Sequence, residues 1–282
     1  MLENTSQPPS DVPSVTSGTI EDLFFARTEG FVNYTEIPSS GIINSVYKAQ
    51  YRGQWYILKG LKPELRENPN YQMMLYKEFE MGKRLNHPYV VKTLWKRKDP
   101  VIGPCIVMEY IDGVTLGEYL KKRHKWYEVL RVLIHVLQGM RYIHMNCMIH
   151  RDLKPDNIIV SRYGFVVKII DMGLADAENF VFYKKTIGTN PFMAPELCDS
   201  VEPADHRADI YSFGKIVQTA TRRYPIITRR CLRKNPSKRL SCSLAIIFYL
   251  LLSHGLMMMF VLGGIIVLVS LLLHWLLHCW IV

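Results

Sequence analysis

The side chains best suited to chemistry lie in the run HRDLKPDN, residues 150–157. It places the carboxylate of Asp152 five residues before the amide of Asn157. A second carboxylate, Asp171, follows the largely apolar run 166–170, so it should lie at a strand end, where it can bridge a metal ion and phosphate oxygens. Transfer of a phosphoryl group needs such a combination, because the loosely bonded group requires an aligned nucleophile and cations that offset its negative charge.

The H-R-D pattern at residues 150–152, followed by Asn157, resembles the catalytic loop of the eukaryotic-type protein kinase family. The resemblance covers about residues 25–250. It implies that Asp152 is the catalytic base, which accepts or orients the proton of the substrate hydroxyl, and that Asn157 and Asp171 hold Mg²⁺. The activity it implies is transfer of the γ-phosphate of ATP to a serine or threonine hydroxyl of a protein.

The resemblance also implies an ion pair that serves the phosphates of ATP. Lys59 lies in the third predicted strand, at the position of the family's phosphate-binding lysine, with Ile57 where the family usually has a small alanine. Glu78 lies eight residues before an Asn-His-Pro sequence, which is the spacing of the lysine's glutamate partner. Residues 171–173, Asp-Met-Gly, resemble the family's Asp-Phe-Gly, and since methionine is also apolar and flexible, the packing of this motif should survive.

The glycine-rich loop that covers the phosphates in this family is the weakest match. Aligned on Val46, its three glycine positions hold Ser39, Gly41 and Asn44, so only Gly41 is kept. Serine and asparagine can still turn the chain, but small backbones approach phosphates more closely, so either ATP affinity is reduced or this hairpin only covers the cleft. The positions implied for adenine binding are the gatekeeper and the hinge, which are Met108, Glu109 and Ile111.

Two positions favour serine or threonine as the acceptor. Lys154 resembles the lysine that faces the γ-phosphate in serine/threonine kinases, and Thr189 resembles the threonine that contacts this lysine and the base. Four further positions resemble structural residues of the family: Arg151, which could receive an activating phosphate; Glu196 and Arg239, which would form an ion pair; and Asp209, which would hold the backbone of the catalytic loop.

The activation segment and the lobe after it depart from the family pattern. Lys185 occupies the aligned phosphorylation site and Thr186 is the nearest hydroxyl, so we expect the segment to order without obligatory phosphorylation. The family separates the counterparts of Asp209 and Arg239 by about twice as many residues, so a substrate-docking helix and its flanking loops should be missing. This departure leaves the mode of substrate capture open, but not the chemistry.

Hydrophobic patterning predicts the elements that position these residues. Five short strands and one helix are expected in residues 25–110, and mainly helices in residues 111–252. The predicted fold is α+β and bilobal, with a small five-stranded antiparallel sheet and a larger, mainly α lobe that is abbreviated after its sixth major helix. The kinase-like domain would span residues 21–252, after a disordered arm over residues 1–20. The predicted strands are 31–37, 45–51, 55–61, 90–95 and 105–110 in the first lobe and 166–170 in the second, and the predicted helices are 71–85, 116–122 and 126–145.

The C-terminal end of the chain is strongly apolar. No charged residue occurs from 244 to 282, which predicts a transmembrane helix in residues 253–282, or alternatively two short spans that turn at residues 263–264. Of the formal net charge of +10, nine positive charges follow Asp209 and no acidic residue does. By the positive-inside rule the kinase core should face the cytoplasm, with the basic flank 229–239 near anionic lipid head groups. Because the charge is not spread over the fold, a nucleic-acid surface is not expected.

Two other interpretations of the same residues stay open. A kinase for a lipid or sugar hydroxyl would fit the membrane segment and the missing docking helix, but not Lys154 and Thr189. A pseudokinase scaffold would fit the weak glycine loop, but it would not explain why every residue implied for the base, the metal and the phosphates is retained. The sequence does not specify the substrate or the oligomeric state.

Overall fold

The computed structural model describes two lobes that meet at a cleft. The described residues are 30–38, 41–162, 166–175, 190–199, 204–221 and 225–242, together with the single positions 245, 263, 264 and 270.

The first lobe is a five-stranded antiparallel sheet with one helix, as predicted. The strand order is β1-β2-β3-β5-β4, and α1 packs against β3, β4 and β5. The elements are β1 (Val32–Ile37), β2 (Asn44–Tyr51), β3 (Gln54–Leu61), α1 (Pro69–Arg84), β4 (Thr93–Asp99) and β5 (Gly103–Glu109).

Local sequence explains the turn and the helix that set this lobe's geometry. Arg52 and Gly53 connect β2 to β3 with positive φ angles of 50° and 80°, the combination that a two-residue hairpin needs to match strand twist. Asn68 caps α1 by accepting a hydrogen bond from the Asn70 amide, and Pro69 occupies the first helical position, where no amide hydrogen is required. The turn fixes the start of β3, which carries Lys59, and the cap fixes the start of α1, which carries Glu78.

The second lobe is mainly helical around a small sheet of order β6-β7-β8. Helix α3 buries Leu133, Leu137 and Met140 in the large core and packs against β8 and α5. The elements are β6 (Gly113–Thr115), α2 (Leu116–Leu120), α3 (Trp126–Met145), β7 (Ile158–Ser161), β8 (Val167–Ile169), α4 (Pro195–Asp199), α5 (Arg207–Ala220) and α6 (Pro225–Cys231).

Two sequence predictions about strands were wrong. The fourth strand begins at Thr93 and ends at Asp99, because Val90 instead forms a parallel bridge with Ile169 of β8. The chain after Gly113 was expected to turn helical, yet β6 is a short strand paired with β7. A Cβ at Gly113 would lie 2.4 Å from the Val160 carbonyl oxygen, so glycine is what permits this close pairing.

The predicted membrane segment lies almost wholly outside the described residues, as does the predicted arm over residues 1–20. Within the part of the chain that the structure describes, no helix combines the length and the apolar character that crossing a membrane requires.

Candidate active site

The cleft between the lobes has a volume of about 830 Å³ and contains the predicted nucleotide site. Strands β2, β3 and β5 contribute to one wall, and the loop before β7, β7 itself and the segment after β8 contribute to the other. Ile57 also faces this space, directly across the sheet from Met108. All residues predicted to bind ATP line it: Gly41, Val46, Lys59, Met108, Glu109 and Ile111.

An ion-pair cluster joins the two lobes at the back of the cleft. Lys59 Nζ lies 2.7 Å from Glu78 Oε1 on α1 and 2.7 Å from Asp171 Oδ1, which follows β8. The ammonium of Lys59 and the carboxylate of Glu78 are buried, whereas the Asp171 side chain keeps 40% of its surface exposed to the cleft. The predicted pairing of Lys59 with Glu78 is therefore present, and Lys59 also binds the predicted metal ligand.

Burial and charge act in opposite directions within this cluster. Burial alone would lower the pKa of Lys59, but the charges of Asp171 and Glu78 outweigh it and raise the pKa above its ordinary value. The pKa of Glu78 is raised, because desolvation and the nearby Asp171 charge disfavour its ionised form by more than Lys59 stabilises it. Burial would also raise the pKa of Asp171, but the charge and hydrogen bond of Lys59 lower it to about 2. Asp171 therefore stays ionised, as a metal ligand must.

Gly173 and Met172 explain how the Asp-Met-Gly motif fits beside this cluster. A Cβ at Gly173 would lie 3.1 Å from both Asp171 Oδ1 and Glu78 Oε2, so a larger residue would press on the two carboxylates. Met172 is 4% exposed and belongs to the core of the second lobe. The prediction that methionine preserves the packing of the motif is confirmed.

Three side chains among the described residues donate hydrogen bonds to the carboxylate of Asp152. Lys154 Nζ lies 2.8 Å from Oδ2, and Asn157 Nδ2 lies 3.0 Å from the same oxygen. Asn190 Nδ2 lies 2.6 Å from the other oxygen, Oδ1. Sequence reasoning missed Asn190 and predicted this contact for Thr189, which lies outside the described residues, as do Lys185 and Thr186.

Asp209 supports the backbone of the catalytic loop, as predicted. Its carboxylate accepts hydrogen bonds from the backbone amides of His150 at 2.8 Å and Arg151 at 2.9 Å, and it lies 2.8 Å from His144 Nε2. Arg151 has a φ of 62°, in the left-handed region that non-glycine residues rarely adopt. Such a conformation persists only where its surroundings impose it, so Asp209 is what holds this strained turn beside Asp152. The guanidinium of Arg151 is buried and donates to the carbonyls of Leu174 and Ala175.

Asp209 also predicts a dependence of stability on pH. Burial would raise its pKa, but the hydrogen bond from His144 and the loop amides outweigh it and lower the pKa below the ordinary value. A depressed carboxyl pKa stabilises the fold above the unfolded-state value of about 3.9 and loses that contribution as pH falls through the folded-state value. Urea unfolding of the wild type and an Asp209→Asn variant should therefore differ most above about pH 5 and converge as the pH is lowered below about 4. A difference that stays constant from neutral to acid pH would contradict this role.

Glu196 and Arg239 form the predicted ion pair. Arg239 Nη1 lies 2.5 Å from Glu196 Oε1 and Nη2 lies 2.7 Å from Oε2, so the pair is bidentate. The Arg239 side chain has no exposed surface. This pair fixes α4, and with it the segment from Asn190 to Pro195, to the end of the second lobe.

The side chain of the hinge residue Glu109 makes structural contacts that the sequence did not indicate. Its carboxylate accepts from Lys168 Nζ at 2.6 Å and from the backbone amide of Lys92 at 2.7 Å. Lys168 lies on β8, three residues before Asp171. The hinge is thereby tied to the strand that presents the predicted metal ligand.

The protein oxygen atoms at this site suit Mg²⁺ bound together with a nucleoside triphosphate. Asn157 uses its amide nitrogen on Asp152, which makes its carbonyl oxygen the atom available to a cation, and Asp171 supplies a carboxylate. Mg²⁺ is commonly held by one or two such protein ligands together with substrate phosphates. Among the described residues no group of three or more His, Cys, Asp and Glu side chains could hold a metal. Asn157 and Asp171 fit a magnesium ion whose other ligands would include phosphate oxygens.

Comparison with known proteins identifies similar domains. The family model described as the protein kinase domain matches residues 39–230. The chain is 34% identical over 185 residues to the serine/threonine-protein kinase STY46 of Arabidopsis thaliana, which covers 64% of this chain and 31% of that protein. It is 34% identical over 177 residues to the serine/threonine-protein kinase PknB of Mycobacterium tuberculosis, covering 57% of this chain and 27% of that protein.

The fold resembles a solved structure of lower sequence identity. The kinase domain of PknI from Mycobacterium tuberculosis superposes with a TM-score of 0.59 at 21% identity, covering 80% of this chain and 97% of that domain. At this identity the likeness concerns the fold alone. The match to a probable serine/threonine-protein kinase of Streptomyces coelicolor covers 25% of that protein, so this chain spans about a quarter to a third of these curated relatives.

Proposed function

Because the chain belongs to the protein kinase family, we propose that it transfers the γ-phosphate of ATP to serine or threonine hydroxyls of proteins. The observation that carries the proposal is the contact of Lys59 with both Glu78 and Asp171 at 2.7 Å, in the cleft that also contains Asp152. These are the groups that phosphoryl transfer requires for binding phosphates, metal and the attacking hydroxyl. The curated relatives reported above bear serine/threonine kinase names, which supports the acceptor class.

Each polar group in the cleft has a distinct part in the proposed reaction. Asp152 orients the substrate hydroxyl and accepts its proton, and Lys154, bonded to the same carboxylate, offsets negative charge near the transferred group. Asn157 and Asp171 would hold Mg²⁺, which supplies positive charge against the phosphate oxygens. Lys59, kept charged by its two carboxylate partners, binds phosphate oxygens, and the Glu109–Ile111 hinge meets the adenine.

The direct test is incubation of the detergent-solubilised chain with ATP, Mg²⁺ and candidate protein acceptors, followed by identification of the labelled group. We expect phosphoserine or phosphothreonine from the wild type and a loss of about 10²- to 10⁴-fold in an Asp152→Asn variant, which cannot accept the proton. Label found in phospholipid or glycan would show that the acceptor is a lipid or sugar hydroxyl instead. Equal labelling by both forms would contradict the mechanism, and ATP binding without transfer to any acceptor would favour a scaffold.

We further propose that residues 253–282 anchor the chain in a membrane with the kinase core on the cytoplasmic side. The support is the uncharged sequence from 244 to 282 and the exposed basic side chains just before it: Arg229, Arg230, Arg233, Lys234 and Lys238. Each such residue near anionic head groups would contribute about 1 kcal/mol. Membranes from cells expressing the full chain should retain it after alkaline carbonate extraction. Release into the supernatant would contradict a spanning anchor.

A further inference from the structure

Asn190 contacts the predicted catalytic base from the loop before α4. Its Nδ2 donates to Asp152 Oδ1 at 2.6 Å. We propose that Asn190 is a positioning residue that sets the orientation of the Asp152 carboxylate and makes it depend on the seating of the segment 190–195. The inference rests on the proposed function, in which Asp152 is the base.

A second hydrogen bond determines which end of the Asn190 amide faces Asp152. Asn190 Oδ1 accepts from the backbone amide of Phe192 at 2.8 Å. Since a backbone amide can only donate, this contact assigns the oxygen to Phe192 and the nitrogen to Asp152. The backbone oxygen of Asn190 also accepts from the Met193 amide at 3.0 Å, so the loop holds both the backbone and the side chain of Asn190.

The turn alone does not explain the contact with Asp152. Two exposed Asn-Pro turns in the same chain use their asparagine oxygens in the same manner: Asn68 accepts from the amide of Asn70 at 3.0 Å and Asn235 from the amide of Ser237 at 2.9 Å. Asn-Pro sequences therefore form this turn elsewhere in the fold. The feature particular to Asn190 is that its amide nitrogen meets a carboxylate.

The three donors on Asp152 divide its two oxygens. Lys154 and Asn157 both bind Oδ2, so among the described residues Asn190 is the side-chain donor that defines the position of Oδ1. A carboxylate oxygen has two lone-pair sites, so Oδ1 can accept from Asn190 and still receive the proton of a substrate hydroxyl. Without Asn190 the carboxylate could rotate about its Oδ2 contacts, and Oδ1 would lose its fixed direction.

The seating of Asn190 depends in turn on α4. Ala194 and Leu197 are buried, and Glu196 is bound by Arg239 through two hydrogen bonds. The loop that carries Asn190 is therefore anchored by packing and by a bidentate ion pair, and a displacement of α4 would move the donor away from Asp152. This arrangement couples the order of the segment 190–195 to the orientation of the Asp152 carboxylate.

An Asn190→Asp variant tests the role of the nitrogen selectively. The aspartate keeps the shape of the side chain and the acceptor for the Phe192 amide, but it replaces the donor to Asp152 with a second carboxylate. We expect a loss of roughly 10- to 100-fold in kcat at neutral pH, the cost of a charge-assisted hydrogen bond, with little change in KM for ATP. The two carboxylates would also repel each other, so the Asp152 side chain should leave its wild-type orientation.

The matched control is Asn235→Asp, which makes the same change in an exposed Asn-Pro turn. It should leave kcat unchanged. Asn190→Ala removes both bonds, so it should also lower kcat. If Asn190 acts only in the turn, kcat of Asn190→Asp should stay near that of the wild type, and that result would overturn the inference.

A measurement without turnover separates this inference from the proposed function. The carboxyl carbon signal of Asp152 can be followed in the full chain, labelled with ¹³C-aspartate and assigned with Asp152→Asn. At neutral pH this signal should move in Asn190→Asp and Asn190→Ala but keep its wild-type position in Asn235→Asp, even if the wild type phosphorylates no protein. An unchanged signal in both Asn190 variants would refute the contact, whereas failure of phosphate transfer alone would refute only the function.

Discussion

An Asp171→Asn variant is expected to lose about a thousandfold or more of its phosphate transfer, since charge stabilisation by metal and lysine is the main catalytic contribution in this reaction class. Asparagine has nearly the same shape as aspartate but no charge, so the change removes a metal ligand and leaves Lys59 with Glu78 as its remaining carboxylate partner in the cluster. The phosphate oxygens then face a site that holds Mg²⁺ poorly. The measurement is the initial rate of labelling from ATP at saturating Mg²⁺, together with Mg²⁺-dependent nucleotide binding by calorimetry.

The design of this experiment separates loss of metal from loss of fold. Asp205→Asn changes an aspartate whose side chain is 48% exposed and pairs with Arg207, and it should retain the wild-type rate. Nucleotide binding without metal should survive in Asp171→Asn, while the gain from added Mg²⁺ should disappear. A labelling rate within about twofold of wild type would remove Asp171 from the metal site and refute the proposed mechanism.

The residues that the sequence identified are those held by short-range motifs. Asp152 and Asn157 are five residues apart in one motif, and the resemblance of that motif to the family's catalytic loop identified both, although their hydrogen bond was not predicted. Lys59 and Asp171 are 112 residues apart, and each was identified by its resemblance to a family motif in or directly after a predicted strand. The sequence could predict both because each motif is local, even though their contact is not.

The contacts that escaped prediction depend on how separate segments meet. Asn190 reaches Asp152 across 38 residues of chain through an irregular loop, for which no periodicity specifies direction. The strand β6 has three residues, too few to show alternation, and its pairing depends on the missing side chain of Gly113. Such features are decided by packing between segments, which a single sequence does not display.

The Glu196–Arg239 ion pair forms across a short interval of the second lobe. The spacing of Asp209 and Arg239 predicts that a substrate-docking helix is missing, and α5 and α6 turn the chain so that Arg239 returns to Glu196. Arg239 also donates to the carbonyls of Arg207 at 2.9 Å and Arg233 at 2.8 Å, which join both ends of this interval. The pair therefore forms without the additional helix, whose absence stays a prediction.

An Arg239→Ala variant should accordingly lose about 3–5 kcal/mol of unfolding free energy, the usual consequence of removing one partner from a buried ion pair. Glu196 would keep its charge with 17% of its side chain exposed but lose the Arg239 guanidinium, and the carbonyls of Arg207 and Arg233 would lose the donor that Arg239 supplies. Chemical denaturation measures the loss. The matched control is Arg162→Ala, which breaks a pair with Asp112 whose side chains are 72% and 53% exposed and which should cost less than about 1 kcal/mol.

Arg239→Lys keeps the charge but cannot form two parallel bonds to Glu196, so its stability should fall between the wild type and Arg239→Ala. This variant keeps the comparison measurable if the alanine form does not fold. The ion pair holds α4, and α4 anchors the preceding segment that contains Asn190. Both Arg239 variants should therefore also lower kcat by more than the loss of folded protein at the assay temperature accounts for. Equal losses of stability in Arg239→Ala and Arg162→Ala would show that the pair does not anchor the lobe, and the coupling of α4 to Asp152 would lose its physical basis.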